Sequence, residues 1–270
     1  MKILKITKEN AQFQIFHALK TNREKRNKEG FIFEGVRNVN NAIAYKWKIQ
    51  AVLFSSDGGL SPWAKHIIEH AKAEVCYDLS KELLAKLSNK EETSEILMVA
   101  KIPEDDLHKI KIHNTLLVVV FDRPSSPGNL GTLIRSCDAF GVDGLIITGH
   151  AVDVYDPETI SATTGSLFLL PIVRIPSQTE VEVWIKNLKE KFPHLQIVGT
   201  DEHGSHTVYA HDFNKPTILL VGNEKLGLSV GYKALADEMV AIPIQGSASS
   251  LNVAVATSII ISEIKRQRNI

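Results

Sequence analysis

The stretch that decides the fold is Thr115-Leu-Leu-Val-Val-Val-Phe121, which runs directly into Asp122-Arg-Pro-Ser-Ser-Pro-Gly128. A β-branched apolar run of this length predicts a strand that is buried on both faces, as in a parallel sheet covered by helices. The turn-rich segment after it predicts a loop, and a helix is predicted over residues 129–140. The inward stripe of that helix comprises Leu130, Leu133, Ile134 and Cys137.

The same alternation continues to the end of the chain. Strands are predicted over residues 145–148, 171–175, 196–200, 217–221 and 241–244. Helices are predicted over residues 157–168, 180–191 and 251–266. Strand–helix alternation with short loops favours an α/β fold whose sheet is parallel and carries helices on both faces.

The first hundred residues show a second α/β pattern. Helices are predicted over residues 8–28, 36–45, 61–72 and 80–87, and strands over residues 50–55, 75–77 and 96–101. A polar bridge, Pro103-Glu-Asp-Asp106, follows the last of these strands. We therefore expect two domains, residues 1–105 and residues 106–270.

Composition excludes several classes of protein. The 270 residues are 44% hydrophobic and 23% charged, which is typical of a globular chain. The two cysteines, Cys76 and Cys137, provide neither a disulfide framework nor zinc-ligand spacing and suit a reducing compartment. The N-terminal stretch MKILKITKENAQ lacks the apolar core of a signal peptide, and no apolar run approaches a bilayer span. We expect a cytoplasmic protein without a membrane anchor.

Charge is distributed unevenly, although the whole chain is formally neutral. In residues 1–48, eleven lysines and arginines face four glutamates, a net charge of +7. The densest part is Lys20-Thr-Asn-Arg-Glu-Lys-Arg-Asn-Lys28. A local basic patch is the electrostatic footprint of a polyanionic partner. A solvated helix face is the alternative explanation.

Three loops that follow strands carry residues suited to chemistry, and open α/β sheets bind ligands at such strand ends. In the first loop, Asn129 can cap the helix and Arg135, one turn further on, can grip a phosphate through its planar fork. The alternative is that Arg135 pairs with Asp138 or another carboxylate. The second loop, Gly222-Asn-Glu-Lys-Leu-Gly227, places Glu224 beside a glycine that a ligand can approach closely. An ordinary turn with an exposed glutamate is the alternative.

The third loop, Ile242-Pro-Ile-Gln-Gly-Ser-Ala-Ser-Ser-Leu-Asn-Val253, joins a strand to the last helix. Ser249 or Ser250 can cap that helix, with Asn252 in its first turn. From residue 253 to 261 the helix is apolar on nearly every side, which predicts burial all round. A subunit interface would supply part of that cover, so a homodimer is expected.

Other candidate sites are weaker. His203, His206 and His211 cluster in one segment, but its Gly/Ser-rich setting favours a solvated loop over a metal site. The chain lacks the dinucleotide, P-loop and nucleophile-elbow motifs. We therefore expect no metal in the site.

Taken together, the three loops resemble those of the SpoU/TrmH family of RNA ribose 2′-O-methyltransferases, within the SPOUT superfamily. The matching residues of the three loops are Asn129, Gly131, Arg135, Gly222, Asn223, Glu224, Gly227, Ile242, Pro243, Gly246, Ser250, Leu251, Asn252 and Val253. The likeness covers about residues 115–270. Residues 25–42, with Phe33-Glu-Gly35, resemble the ribosomal-protein-like α/β domain that binds RNA substrates in this family.

The resemblance implies a trefoil-knotted catalytic domain that uses S-adenosylmethionine without a metal and works as a homodimer. It implies catalytic or positioning roles for Asn129, Arg135, Glu224, Ser250 and Asn252. It implies cofactor contacts for Thr200, Gly222, Asn223, Ile242 and Leu251. Together with the basic patch, it implies RNA contacts for Lys20, Arg23, Lys25, Arg26, Lys28 and Arg37.

The expected reaction is therefore methyl transfer to a ribose 2′-hydroxyl, with ribosomal RNA as the favoured substrate because the separate N-terminal domain is typical of rRNA enzymes. Transfer RNA is the alternative substrate. A non-catalytic, ribosome-associated RNA-binding protein and a mononucleotide-binding α/β enzyme are the alternative functions. Two departures from the family pattern, Ser94-Glu95 and Ser161-Ala-Thr-Thr-Gly-Ser166, leave the target nucleotide open.

Overall fold

A computed structural model describes residues 2–269, and within them the chain divides into two compact units. Unit 1 comprises the described residues up to Glu104 together with the segment Asp153–Leu169. Unit 2 comprises Asp105–Val152 and the described residues from Leu170 onward. Each unit is built around a sheet of its own.

The strands are β1 (Ile3–Ile6), β2 (Phe31–Glu34), β3 (Ile49–Phe54), β4 (Val75–Leu79), β5 (Ile96–Ala100), β6 (Leu117–Asp122), β7 (Gly144–Thr148), β8 (Ile172–Ile175), β9 (Gln196–Thr200), β10 (His206–Thr207), β11 (Thr217–Val221) and β12 (Glu238–Ala241). The helices are α1 (Ala11–Thr21), α2 (Arg23–Glu29), α3 (Val36–Ala44), α4 (Pro62–His70), α5 (Lys81–Leu87), α6 (Pro127–Ala139), α7 (Pro157–Thr163), α8 (Gln178–Lys191), α9 (Val230–Leu235) and α10 (Val253–Gln267).

The sheet of unit 1 has the order β1-β4-β3-β5-β2. The first three strands are mutually parallel, and β5 runs antiparallel to both of its neighbours. Phe13, Phe16 and Leu19 of α1 and the leucines of α5 bury their side chains against one face. This core arises because both helices repeat apolar residues at intervals of three or four positions.

The sheet of unit 2 has the order β10-β12-β9-β11-β6-β7-β8, and every neighbouring pair is parallel. Val118 and Val120 of β6 face a core that α8 and α9 cover. Because side chains alternate along a strand, Val119 and Phe121 face the other side, where α6 packs against α10. The predicted fold class, a helix-flanked parallel sheet with a smaller N-terminal α/β unit, is confirmed.

Several predicted elements differ from the observed ones. The helix predicted over residues 8–28 is two helices, because Asn22 ends α1 and its side chain caps α2. The helix predicted over 157–168 ends at Thr163, because Thr164 and Gly165 adopt left-handed backbone conformations before a short 3₁₀ turn. The strands β1, β2 and β10 and the helix α9 were not predicted.

The last strand is shifted by three residues from its predicted position. The sequence predicts residues 241–244, whereas β12 spans Glu238–Ala241. Pro243 has no backbone N–H to donate to a sheet, and the ladder with β9 begins at Glu238, opposite Val198. Residues 242–244 therefore belong to the loop that leaves the sheet.

Candidate active site

The three predicted loops leave the sheet of unit 2 at one edge. β6 ends at Asp122, β11 at Val221 and β12 at Ala241, and all three strands run in the same direction. Because the carboxyl ends of parallel strands share an edge, the loops converge there. This is the edge at which open α/β sheets bind ligands.

The carboxylate of Glu224 joins the second loop to the first. Its Oε2 accepts hydrogen bonds from the backbone N–H of Ser125 at 3.0 Å and from the Ser125 hydroxyl at 2.6 Å. Its Oε1 accepts from the backbone N–H of Ser126 at 3.1 Å and from the side-chain amide of Asn129 at 3.3 Å. Glu224 is therefore an anchor, rather than the exposed glutamate of an ordinary turn.

Two opposing effects act on the pKa of Glu224. Burial raises it, but the hydrogen bonds from Ser125, from its own backbone N–H and from Asn129 together outweigh burial, so the pKa lies below its ordinary value. The group stays ionised at neutral pH and is a weak base. Its role in the site is therefore to hold the loops.

The third loop joins the same network through two asparagines. The side-chain amide of Asn252 donates to the side-chain oxygen of Asn129 at 2.8 Å. The side-chain oxygen of Asn252 accepts from the backbone N–H groups of Ala254 and Val255, so it caps α10. Asn129, Glu224 and Asn252, which are far apart in sequence, thus form one connected cluster.

Both helix caps predicted from the sequence need correction. Ser126, not Asn129, caps α6: its hydroxyl accepts from the backbone N–H of Asn129 at 3.3 Å, and Pro127 opens the helix. Proline suits that first position because its missing N–H would have no partner there. Asn252, rather than Ser249 or Ser250, caps α10. Capping by Ser126 leaves the Asn129 side chain available for the cluster.

Arg135 lies on α6 two turns beyond its start and is exposed. Within residues 2–269 its side chain forms no hydrogen bond and no ion pair, so the alternative pairing with Asp138 is not observed. An unpaired guanidinium on the helix that carries Asn129 is a cation available to a phosphate.

A cleft of about 440 Å³ lies beside the second and third loops. Its wall includes apolar side chains from the last strand, the third loop and α10: Val240, Ile242, Ile244, Leu251, Val253 and Ile260. Its polar wall includes Thr200, Asn223 and Glu224. Asp201 and Lys233, which the sequence did not single out, form an ion pair of 2.7 Å in the same wall. The Lys233 ammonium holds the pKa of Asp201 below its usual range.

The cleft suits S-adenosylmethionine. Its volume falls within the range of small-ligand pockets, about 300–1,000 Å³. The apolar wall matches an adenine face, and Glu202 and Glu224 are among the lining residues. All five residues predicted for cofactor contact, namely Thr200, Gly222, Asn223, Ile242 and Leu251, line this one cleft.

The backbone packed against residue 222 leaves room only for a glycine at that position. A Cβ at this position would clash with the backbone of Gly227 and Leu228, because the loop folds back on its own stem. Asn223 and Gly227 exchange two backbone hydrogen bonds, and the side-chain oxygen of Asn223 accepts from Lys225 and Leu226. Only glycine fits this close backbone approach. The predicted cofactor contact of Gly222 stays a prediction.

Ser250 also lines the cleft, but its surroundings differ from those of the cluster. It is exposed, and among the described residues it makes no hydrogen bond. The structure therefore places Ser250 at the rim of the site, outside the network of Asn129, Glu224 and Asn252.

The residues predicted to contact RNA fall into three groups in unit 1. Arg23, Lys28 and Arg37 are exposed. Lys20 and Lys25 are partly buried: Lys20 donates to the carbonyls of Lys86 and Ser88, and Lys25 pairs with Glu29.

Arg26 is the exception. Only 3% of it is exposed, and it donates to Asp153 at 2.7 Å and to Asp156 at 3.0 Å. Its charge is neutralised inside unit 1, so we correct the sequence-based set of RNA contacts by leaving Arg26 out. Lys90, which the sequence did not single out, lies with Arg37 and Asn38 around a cleft of about 360 Å³.

His206 and His211 line one cleft, and His203 lines another. His203 and His206 are exposed and pair with Glu202 and Glu238, while the ring of His211 contacts Gln196. No group of three or more potential metal ligands is found in the described part of the chain. Among residues 2–269, no helix combines the length and the apolar character needed to cross a membrane.

Comparison with known families decides the identity of this site. A family model described as the SpoU rRNA Methylase family matches residues 116–262. The chain belongs to this SpoU family. A SpoU L30e-like domain matches residues 10–99, in unit 1. The family predicted from the three loops is confirmed, and with it the predicted enzyme class, RNA ribose 2′-O-methyltransferase.

Relatives match over nearly the whole chain. It is 44% identical to a 23S rRNA (uridine(2479)-2′-O)-methyltransferase of Streptomyces viridochromogenes, over 98% of this chain and 92% of the relative. It is 26% identical to a 23S rRNA (guanosine(2553)-2′-O)-methyltransferase of Bacillus subtilis, over 95% and 96%.

Solved SpoU structures agree with the fold. The methyltransferase AviRb of S. viridochromogenes, in complex with AdoMet, has a TM-score of 0.91 at 44% identity and covers 97% of this chain and 99% of its own. An AdoMet-bound rRNA methyltransferase of Sinorhizobium meliloti has a TM-score of 0.86 at 28% identity and covers 98% of both chains. The predicted cofactor, S-adenosylmethionine, is confirmed by these relatives.

Proposed function

We propose that this SpoU enzyme methylates a ribose 2′-hydroxyl of ribosomal RNA, with residues 106–270 as the catalytic domain and residues 1–105 as the substrate-binding domain. The observation that carries the proposal is the cluster of Asn129, Glu224 and Asn252 beside a cleft that suits the cofactor. Relatives that act on 23S rRNA match both units. The cluster is intact in this chain, which favours an enzyme over a vestigial RNA-binding protein.

S-adenosylmethionine, when bound, would supply a methyl group on a positively charged sulfonium for transfer to the 2′-hydroxyl oxygen, with the neutral thioether as the leaving group. Thr200, Asn223, Ile242 and Leu251 hold the cofactor in the cleft, and the ionised Glu224 keeps the second loop against the first. The reaction depends on alignment, since positioning two reactants can supply about 7–11 kcal/mol of a barrier. The hydrogen-bonded loops provide that alignment.

Arg135 acts on the nucleotide. A guanidinium remains protonated in proteins, so Arg135 serves as a cation and hydrogen-bond donor rather than as a base. We assign two roles to Arg135: it binds the phosphate next to the reactive ribose, and it polarises the 2′-hydroxyl. A phosphate oxygen held there accepts the hydroxyl proton. Ser250, at the rim, contacts the same nucleotide.

RNA binding by unit 1 is assigned to its exposed cations. Lys28 and Arg37 are exposed, and Arg37 lies at the start of α3 near Lys90. Lys20, Arg23 and Lys25 extend the same basic segment. The phosphate backbone dominates nucleic-acid affinity, so these contacts bind RNA without specifying the target base.

A second copy of the chain completes the assembly in this proposal. The expectation that α10 is buried all round is not met by a single chain, because Val255 is 48% exposed. Val255, the half-buried Ile259 and the exposed Tyr209 leave an apolar area uncovered on unit 2. Replacing Val255 with glutamate should give monomers in light scattering, whereas Val183→Glu, at an equally exposed valine of α8, should leave the mass unchanged.

The test of the activity is transfer of a labelled methyl group from S-adenosylmethionine to unmodified rRNA and tRNA, separated afterwards. Alkali-resistant label in rRNA is the expected result, because 2′-O-methylation blocks alkaline cleavage at that ribose. Label confined to tRNA would overturn the substrate. Cofactor binding without label in free RNA or ribosomal subunits would overturn the enzymatic proposal.

A further inference from the structure

Arg123, between β6 and the first loop, has an unusual backbone and an unusual set of contacts. Its φ of 53° lies in the left-handed region that a branched or long side chain rarely adopts. The backbone nevertheless stays paired, because the N–H of Arg123 donates to the carbonyl of Thr148 at 3.0 Å. Gly149 lacks a side chain where a Cβ would clash with Cγ of Arg123. The surrounding chain is thus shaped around this conformation.

The guanidinium of Arg123 is fixed by a buried carboxylate. Its Nε and Nη2 donate to the two oxygens of Asp122, each at 2.9 Å, and Asp122 is only 2% exposed. Asp122 also accepts the backbone N–H of Ser229 at 2.9 Å. A bidentate pair of this kind fixes the direction of the guanidinium as well as its charge.

Arg123 forms hydrogen bonds at both ends of the second loop, which is taken here together with Leu228 as residues 222–228. Its Nη2 also donates to the carbonyl oxygen of Gly227 at 3.2 Å. Its own carbonyl oxygen accepts the side-chain amide of Asn223 at 2.6 Å. The left-handed conformation lets the side chain and the carbonyl of one residue reach the two ends of the same loop.

We propose that Arg123 is a positioning residue for cofactor binding, acting through Asn223 and Gly227. Six consecutive residues of the gripped loop, Gly222 to Gly227, line the cleft assigned to S-adenosylmethionine, so the inference rests on that assignment. These contacts hold both ends of the loop in place in the unliganded protein. Less conformational entropy is therefore lost when the cofactor binds.

The test uses Arg123→Lys in the full-length protein. Lysine keeps a positive charge beside Asp122 but lacks the fork that reaches Asp122 and Gly227 together. Calorimetry should show S-adenosylmethionine binding weakened about tenfold, the effect of losing one or two ordering hydrogen bonds. Hydrogen exchange in the unliganded protein should accelerate in residues 222–228 and stay unchanged in β6 and β11.

The matched control is Arg174→Lys, which alters another bidentate arginine–aspartate pair of unit 2, with Asp105, remote in sequence from the loop. It should leave cofactor affinity and loop exchange unchanged. Wild-type affinity in folded Arg123→Lys, or faster exchange throughout unit 2, would overturn the positioning role. Absence of cofactor binding by the wild-type protein would instead refute the assignment of the cleft.

A second variant covers the case in which Arg123→Lys does not fold. Asn223→Asp replaces the amide donor to the Arg123 carbonyl with a carboxylate oxygen, which repels that carbonyl, and keeps the side-chain oxygen that accepts from Lys225 and Leu226. Loop exchange should again rise while the Arg123–Asp122 pair stays intact. Unchanged exchange in residues 222–228 would overturn the proposal.

Discussion

Asn252 donates a hydrogen bond of 2.8 Å to the side-chain oxygen of Asn129, which lies 123 positions earlier in the chain. The two groups of the Asn252 amide have separate tasks, since its oxygen caps α10 while its nitrogen reaches the first loop. One residue thus fixes the start of a helix and joins two loops of the candidate active site.

Replacing Asn252 with aspartate separates these tasks. Aspartate caps helices about as well as asparagine, so the free energy of unfolding should change by less than about 0.5 kcal/mol. The donor to Asn129 is lost, and we expect methyl transfer to fall about tenfold or more. Asn252→Ala removes both tasks and should also cost about 1 kcal/mol of stability. Full activity in the aspartate variant would contradict a role for the Asn129 contact.

Glu224→Gln should weaken the junction of the first and second loops. An amide offers one acceptor oxygen where the carboxylate offers two, so either the donors of Ser125 or those of Ser126 and Asn129 lose their acceptor, at a cost of about 1–3 kcal/mol. The thermal unfolding temperature and the rate of methyl transfer should both fall. Glu190→Gln, at an exposed glutamate of α8, should change neither.

The lowered pKa of Glu224 also predicts that the stability of the protein depends on pH. The folded-state pKa of Glu224 lies below its ordinary value of 4.5, so the ionised group stabilises the protein above that pH. The contribution is lost as the pH falls through the folded-state pKa. The difference in unfolding free energy between wild type and Glu224→Gln should therefore be constant from pH 8 to about 5 and shrink below about 4.5. A difference that grows on acidification would contradict the assignment.

Arg135→Ala should separate catalysis from cofactor binding. Because Arg135 is exposed and unpaired within residues 2–269, its loss should change the unfolding free energy by less than about 0.5 kcal/mol. Methyl transfer should fall by a factor of about 100 or more, while calorimetry shows unchanged S-adenosylmethionine affinity. Lys186→Ala, at an exposed cation of α8, serves as the control. Near-wild-type transfer would remove Arg135 from the mechanism.

Arg26→Met should destabilise unit 1. It leaves the carboxylate of Asp153 buried without its cation, and breaking a buried pair by removing one partner costs about 3–5 kcal/mol. Lys25→Met removes only the more exposed pair with Glu29 and should cost about 0.5 kcal/mol or less. Denaturant unfolding followed by hydrogen exchange in unit 1 distinguishes them. Equal effects of the two substitutions would contradict the structural role of Arg26.

Substitution of the exposed cations should change the salt dependence of RNA binding. Lys28→Ala and Arg37→Ala should each reduce the slope of log K against log salt by about 1, because each removes one phosphate contact. Affinity should fall similarly for matched and unmatched RNA sequences. Lys65→Ala, at an exposed lysine of α4, should leave the slope unchanged; an equal reduction there would show that net charge alone determines binding.

The sequence was sufficient to locate the candidate active site but not to predict the hydrogen bonds that join its loops. Asn129, Glu224 and Asn252 stand out because polar residues follow apolar strands, and parallel strands bring such loops to one edge. Their partners were not predictable in the same way. Ser125 and Ser126 belong to an ordinary turn in the sequence, and only the folded chain shows both aimed at Glu224.

Two further features could not be predicted from the sequence: the burial of Arg26 and the strand order of unit 2. Arg26 looks like its basic neighbours in the sequence, because the carboxylates that bury it lie at Asp153 and Asp156. The strand order β12-β9-β11-β6 departs from the order of the chain, and local periodicity contains no information about such crossings. The knot predicted for this region came from family resemblance alone.

The segment Asp153–Leu169 has a consequence for any attempt to divide the protein. The chain leaves unit 1 after Glu104 and returns to it for these residues, which carry both carboxylates that neutralise Arg26. An N-terminal fragment that ends near residue 105 therefore carries a buried guanidinium without its counter-charges. A fragment that begins there carries the orphaned carboxylates instead. Joining the excised segment back to residues 2–104 through a flexible linker is the form in which unit 1 retains its own electrostatic balance.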